Sequence, residues 1–590
     1  MKWVRFWDYK SAQQLFLAAR FPNKDIATGY RAAGRVLPYA RILSQLALLG
    51  LLASIIAIPA CTRQDDAEQS REQPSPVSHE PPTGGIYRRP LGNDPASLDP
   101  ARITDYYAVA VANQIFDGLV EFDTHLNVVP GLAQSWSASR DGIVWTFNLR
   151  KAVQFHNGRE MTAEDVVYSL SRLLSPAVGS PRSWFLDKVK GASAFQDGSA
   201  RELAGVRAVD RYTVQITLSE PFTPFISILG LPHTSIVPKE EVERLGADFA
   251  TSPVGTGAFR FLRWERDQEI TLEANEHYFL GRPALDRVRF LIFPGNAVGS
   301  MITAFERGEL EESPIPPERR QALLASNTYK LIRKPVLSIL LFGFNLERPP
   351  LNQREVRQAF NYAVDKIRMN REIQANRYVV ARGILPPGMP GYNPEVQGYD
   401  YDPDKAKALL AQAGHPGGKG LTPVTIGSTL KSAEIRQESE AVQQYLTNIG
   451  VQVELGGFED WPAFQRALEQ GETQIFRYAW YADYPDPDNF LYPLFHSQSA
   501  NNYFRYRNPT VDGLLDEARK ETDDLRRVKL YREAEQLILN DAPGVMFLHR
   551  TYEELFQPYI EGIEPSALGD PYVSLRKVRL KRTEQTNTRK

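Results

Sequence analysis

Asp483, Asp486 and Asp488 stand close together in the stretch RYAWYADYPDPDNFLYPLF, Arg477 to Phe495, among seven aromatic rings and three prolines. Carboxylates at this density suggest a calcium loop, a glycoside-cleaving acid pair or a receptor for a cation. The calcium reading lacks a glutamate at the twelfth position and a central glycine. The glycosidase reading pairs Asp483 with Glu472 or Asp488, at a separation that sequence does not show. Asp486 and Asp488 each follow a proline and suit Asx-turns. Asp483 instead follows RYAWYA. A carboxylate among rings is costly to desolvate unless a cation pairs with it. Arg477 offers that cation from within the chain. A ligand ammonium is the other candidate, with Trp480 as an apolar wall that also attracts cations.

A strand ending near Trp480 would place Arg477, Ala479 and Tyr481 on one face and Tyr478, Trp480 and Ala482 on the other. The prolines that follow remove backbone donors, which argues against a continuous helix or central strand beyond about Asp483. The rest of the chain alternates strands and helices. GIVWTFNLR sets Ile143, Trp145, Phe147 and Leu149 at period two, and RYTVQITLSEP repeats this with Tyr212, Val214, Ile216 and Leu218. MTAEDVVYSLSRLL reads as a helix capped at Thr162 with Asp165 three residues on. LNQREVRQAFNYAVDK has apolar residues at helical spacing, and in AVQQYLTNIGVQVELGGF Gly450 separates a helix from a strand. The class is mixed α/β. Loops rich in proline and glycine at 314–317, 386–394 and 414–420 lie within domains rather than between them.

Other chemistry is sparse. The eight histidines form no ligand pair, and no G-x-S-x-G or nucleotide-binding loop occurs. VGTGAF, Val254 to Phe259, lacks the lysine and third glycine of a phosphate loop and reads as a tight turn. No catalytic residue, metal site or cofactor is expected. With 69 basic against 71 acidic residues, no net field argues for nucleic acid as a partner. At 590 residues the chain should hold more than one domain.

Ile42 to Ala60 carry no charge, and Arg31, Arg35 and Arg41 precede them. This is the layout of an export signal over residues 1–60, or of an uncleaved membrane anchor. IPAC, ending at Cys61, resembles a bacterial lipobox, which makes Cys61 the expected lipidation site and the mature N-terminus. Cys61 is the only cysteine, so no intramolecular disulfide is expected. Residues 61–83 are polar and proline-rich and read as a disordered tether of roughly 25 Å span.

WYADYPDP closely resembles the W-x-A-D-Y-x-[DE]-P signature of the bacterial extracellular solute-binding proteins of the peptide/nickel family. LDPARITDYYAVAVANQIFDGLVEFD, VVPGLAQSWSASRDGIVWTFNLRKAVQFHNGREMTAEDVVYSLSR, SPVGTGAFRFLRW and FGFNLERPPLNQREVRQAFNYAVDK resemble further segments of that family, in the same order. The resemblance implies a two-lobed fold of the periplasmic-binding-protein type, with hinge strands and a family-specific extra domain. Lobe I would comprise 84–125, 228–335 and 550–580, the extra domain 126–227 and lobe II 336–549, with a tail at 581–590. It implies a receptor, not an enzyme, that encloses short peptides between its lobes and delivers them to the permease of an ABC importer. The receptor would be monomeric and lipid-anchored on the outer side of the membrane. Asp483 would receive the peptide α-ammonium, Trp480 would line a side-chain pocket and Arg477 would meet a peptide carboxylate, with Ala479 and Tyr481 beside them on the binding strand. Peptide backbone would pair with protein backbone as an added strand. Alternatives within the fold are an oligosaccharide, a murein peptide or a nickel chelate. The alternative outside it is an exported hydrolase using the acidic loop.

Overall fold

The period-two segments become strands. Val144–Leu149 buries Trp145, Phe147 and Leu149, and pairs antiparallel with Ala133–Ala138 and with Thr213–Thr217, which in turn pairs with Val206–Asp210. The helix Ala163–Leu174 presents Val166, Leu170, Leu173 and Leu174 to the same core. Its start is held by the Thr162 N–H, which donates to the Asp165 carboxylate at 2.8 Å. The computed structural model describes residues 84–429 and 432–581. The leader, Cys61 and the expected tether therefore lie outside the described residues.

Three larger sheets and two two-stranded ones, Val120–Phe122 with Val128–Pro130 and Ile560–Glu561 with Arg579–Leu580, make up the rest of the described strands. Ile86–Leu91 runs parallel to Arg287–Ile292, which continues antiparallel through Glu269–Ala274 to Phe259–Glu265. The helix Tyr106–Ile115 packs on this sheet, capped by Asp105, whose carboxylate accepts the Ala108 N–H at 2.8 Å. A small sheet joins Glu312–Pro314, Thr551–Phe556 and Lys330–Pro335. The largest, of six strands, has the order Val379–Val380, Gly544–His549, Ser338–Phe344, Ile475–Tyr481, Val424–Ser428, Val453–Gly457. It is mixed: Val424–Ser428 is parallel to both its neighbours and the remaining pairs are antiparallel. Helices Arg354–Ala363 and Ala433–Asn448 close one face of it, and Asp488–Phe495 and Asp524–Asp541 close the other. The α/β class and the two-lobed plan expected from sequence are those observed.

The chain passes between the lobes on adjacent strands. Lys330–Pro335 continues through Val336 and Leu337 into Ser338–Phe344, and Gly544–His549 continues through Arg550 into Thr551–Phe556. The crossings are tied together: the Val336 N–H donates to Arg550 O at 2.9 Å, and the Arg550 N–H donates to Ser338 Oγ at 3.0 Å.

One expectation is corrected. The strand does stop at Tyr481, but the prolines do not prevent a helix after it, because Asp488–Phe495 is helical with Pro493 inside. Pro487 precedes the first turn, where a missing N–H costs nothing, and Pro493 forfeits a single bond.

The glycines of VGTGAF are explained by packing. The Gly257 N–H donates to Ile115 O at 2.8 Å, and a Cβ on Gly257 would lie 2.6 Å from both Gln114 O and Ile115 O at the end of the helix. His156 bridges the turn: the Gly255 N–H donates to Nδ1 at 3.2 Å, while Nε2 lies 3.0 Å from Gly257 O. Burial pushes the imidazole down to about 4, which keeps it neutral and able to serve both partners. Gly257→Ala is expected to destabilise the protein by about 1–3 kcal/mol through overpacking against backbone. Urea denaturation will show it as a lowered midpoint at unchanged slope.

Candidate functional site

The strand Ile475–Tyr481 carries the site because it outruns one of its neighbours. Along one edge it pairs with Ser338–Phe344 over its full length, from Ser338 opposite Tyr481 to Phe344 opposite Ile475. Along the other edge the register with Val424–Ser428 covers only Ile475 and Phe476. Among the described residues, no strand pairs with that edge from Arg477 onward. The Ala482 N–H donates to Leu337 O at 2.9 Å, so antiparallel alternation turns the backbone groups of Ala482, Trp480 and Tyr478 toward Ser338–Phe344. The N–H and C=O groups of Tyr481 and Ala479 consequently face the open edge. The side chains alternate as the sequence suggests: Tyr478, Trp480 and Ala482 pack into one core, and Ala479 lies against the other.

Asp483 ends this edge. Its N–H donates to Asn489 Oδ1 at 2.8 Å, which fixes the turn. Its carboxylate has one cation near it, Arg182 Nη1 at 3.3 Å, on the segment just before the short helical turn Ser183–Leu186. Burial raises the Asp483 pKa above the usual carboxylate range, and the Arg182 charge only partly opposes that rise. Tyr572 lies beside it, its phenol pushed up to about 12 by burial and by the Asp483 charge.

Trp480 is positioned by the proline in the following helix. In a regular helix the N–H of residue 493 would bond to the carbonyl of Asn489. Pro493 has no N–H, and the indole Nε1–H of Trp480 donates to Asn489 O instead, at 2.6 Å. Asn489 therefore holds Asp483 through its side chain and Trp480 through its backbone. Tyr481 is 47 % exposed, with the Arg550 guanidinium 5.8 Å from its ring centre.

Arg477 is differently engaged. It is 8 % exposed and its Nε–H donates to Glu438 Oε2 at 2.9 Å. The other oxygen of Glu438 accepts from Gln374 Nε2 at 2.9 Å. Burial raises the Glu438 carboxyl, against which the Arg477 charge acts. The structure thus brings Asp483, Trp480, Tyr481 and Ala479 to one edge, and commits Arg477 to an internal ion pair beneath it.

The remaining acidic residues of the motif are structural. Asp486 accepts the Asp488 N–H at 2.9 Å, as an Asx-turn does, and its Oδ1 also accepts from Arg527 at 2.6 Å. Asp488 differs from expectation: its carboxylate lies 3.1 Å from Arg519 Nε and accepts from the Tyr484 hydroxyl at 2.9 Å. Burial makes a fixed counter-charge necessary there, which a local turn does not provide. Glu472 precedes the strand that Asp483 follows, so roughly 20 Å of extended chain separates them. That is beyond the spacing of a glycosidase pair. Among the described residues, no group of three or more His, Cys, Asp or Glu is arranged to hold a metal ion.

Sequence reasoning missed Arg182, Asn489 and Arg550. Asn489 lay within reach, since it adjoins the aspartates. Arg182 is 301 positions from Asp483 and carries no local signal.

Comparison with known proteins places these features in a family. The model of the bacterial extracellular solute-binding proteins, family 5 Middle, matches residues 127–502. The chain is 32 % identical over 547 residues to heme-binding protein A of Haemophilus influenzae, covering 89 % of this chain and 97 % of that one. It is 31 % identical over 489 residues to the dipeptide-binding protein of Escherichia coli, covering 79 % and 89 % respectively. Among solved structures, the ABC transporter-associated periplasmic binding protein DppA of Helicobacter pylori, in complex with the peptide STSA, superposes with a TM-score of 0.67. Its sequence is 29 % identical, and the match covers 85 % of this chain and 99 % of that one. A mixed α/β protein with two lobes, twin crossings and the W-x-A-D-Y motif on an open strand edge, this chain belongs to the bacterial extracellular solute-binding proteins of family 5.

Proposed function

We propose that the protein is a receptor for short peptides that serves an ABC importer. The observation that carries this reading is the open edge of Ile475–Tyr481, ending at the Asp483 carboxylate. The backbone groups of Ala479 and Tyr481 offer an extended chain the hydrogen bonds of a further strand. Asp483 then lies where the first residue of that chain would place its α-ammonium, and Arg182 marks the same position as one that a cation occupies. Trp480 walls the neighbouring space. Backbone pairing recognises an extended peptide irrespective of its side chains.

The peptide-binding relatives support this reading, as does the ABC transporter association of the Helicobacter pylori protein. Extracellular placement is a property of the family, and we extend it to a chain lipidated at Cys61, acting as a monomer and handing peptide to a permease. Arg477, paired with Glu438, would contribute by holding the strand from beneath. A ligand carboxylate would reach it only by displacing Glu438. In this scheme lobe I, the extra domain and lobe II take the ranges expected from sequence, and closure about the twin crossings encloses the ligand.

Two outcomes follow from Asp483. A peptide with a free α-amine is expected to bind at least about 30-fold more tightly than its N-acetylated form, on the order of 2 kcal/mol, because acetylation removes the ligand's ammonium and leaves the buried carboxylate only its contact with Arg182. Calorimetric titration of the pair measures this, and equal affinities would remove Asp483 from the role. The second outcome concerns stability. Because the folded carboxyl holds its proton more tightly than the unfolded one, the Asp483 contribution to stability falls as pH rises from about 4, the unfolded value, through the raised folded value. Asp483→Asn lacks this loss, so its stability relative to wild type should increase over that window and then level off. Urea denaturation at a series of pH values will show the trend, and a relative stability that declines with pH would contradict it.

A further inference from the structure

The end of the open edge holds two opposite charges at a fixed separation. Tyr484, next to Asp483, and Phe185 and Leu186, just after Arg182, are all buried in the core that Val144–Leu149 and Ala163–Leu174 share. The backbone at Arg182 is held as well, since its N–H donates to the hydroxyl of the buried Ser180 at 3.2 Å. One core thus anchors both charged residues, while their side chains stay within reach of a ligand: Arg182 is 32 % exposed and Asp483 28 %.

The contact between them is sparing. Among the described residues, Asp483 is the one carboxylate within ion-pair distance of Arg182 and the one acceptor its guanidinium has. Structural pairs in this protein look different: Arg172 grips Asp99 through both terminal nitrogens, at 2.7 and 2.6 Å. The Arg182 bond runs from Nη1 to Oδ1 at 3.3 Å, so a ligand ammonium can take Oδ2 and the rest of the guanidinium can take an anion. Charge counting shows which ligand would suit. The other titratable groups acted on by either charge are neutral: burial and the Arg182 charge push the His233 imidazole down to about 3, burial pushes the Tyr572 phenol up to about 12, and it raises that of Tyr478. Alone, Asp483 and Arg182 cancel. An α-ammonium arriving at Asp483 puts two cations on one carboxylate and leaves a net positive charge in a partly buried place, which is unfavourable. A carboxylate on the same residue of the ligand restores neutrality.

We infer that Arg182 sets a preference for peptides whose first residue is acidic, with the α-ammonium on Asp483 and the side-chain carboxylate of an N-terminal aspartate or glutamate on Arg182. The charges then alternate in sign around a closed ring, each between two opposites. In such a residue the ammonium and the carboxylate hang from one Cα by a short chain, so they can meet two groups that are themselves in contact, as Asp483 and Arg182 are. The guanidinium fork matches a carboxylate in shape as well as in charge. The inference rests on the peptide-receptor reading and adds a side-chain preference that backbone pairing alone does not give.

The test is calorimetric titration of the purified protein with free-amine peptides, from dipeptide to pentapeptide, that begin with glutamate or with its uncharged isostere glutamine and continue in alanine. Wild type should bind the glutamate form at least about tenfold more tightly than the glutamine form. In Arg182→Gln the order should reverse, because Asp483 is then left without its cation and favours the more positive ligand. The glutamine form should bind this variant more tightly than it binds wild type, a gain that a merely structural role for Arg182 would not produce and that shows the variant to be folded. Equal affinity of wild type for the two forms, at every length that binds, overturns the proposal without any variant and leaves the receptor reading standing. Retention of the preference in Arg182→Gln overturns the assignment to Arg182. Failure of every peptide overturns the receptor reading and this preference with it.

Discussion

The twin crossing between the lobes is the constraint on which everything else depends. Two neighbouring antiparallel strands leave one sheet and enter another within one or two residues, stitched by the Val336, Arg550 and Ser338 hydrogen bonds. A single crossing would let the lobes swivel independently of any register. Two crossings bonded to each other restrict relative motion to bending about the pair. They also fix where the site must be. Ser338–Phe344 emerges from one crossing and is the partner of Ile475–Tyr481, so the open edge and Asp483 both lie within a few residues of the junction. Small rotations there change the cleft without disturbing either core.

The acidic motif shows how one stretch divides structural and functional carboxylates. Asp486 and Asp488 are buried and tied to Arg527 and Arg519, charges contributed from helices later in the chain. Those pairs, with Tyr484 inserted into the core that Val144–Leu149 and Ala163–Leu174 share, anchor the loop. Only then can Asp483 keep a partly exposed, singly contacted carboxylate. A buried ion pair contributes little net stability, but removal of either partner is costly, so such pairs specify geometry more than they strengthen it. The rigidity of Asp486 and Asp488 is what allows Asp483 to remain available.

Much of this was legible in the sequence. Period-two and helical spacing located Val144–Leu149, Thr213–Thr217, Ala163–Leu174 and Arg354–Ala363, because one-sided burial imposes those periods. The face alternation of Arg477 to Ala482 followed from the pleat alone. What could not be read were consequences of distance. The Arg182–Asp483 contact spans 301 positions, and the Arg477–Glu438 pair joins a strand to a helix 39 residues earlier. The helix through Pro493 was missed because proline propensity is a local rule, and here tertiary packing overrides it. That same proline frees the carbonyl that holds Trp480, so the local penalty and the functional geometry have one cause.

This coupling bears on why the motif carries a proline within a helix at all. Placing an indole beside an exposed strand edge requires a hydrogen-bond acceptor at a fixed height, since an unpaired buried N–H is costly. A side-chain acceptor would need its own support. A helix carbonyl is already rigid, but is normally committed to the N–H four residues on. Pro493 releases the carbonyl of Asn489 while leaving its neighbours bonded, and the Asn489 side chain, on the same residue, fixes the turn at Asp483. One residue thereby sets the spacing between the aromatic wall and the carboxylate, and a change of register in that helix would move both together.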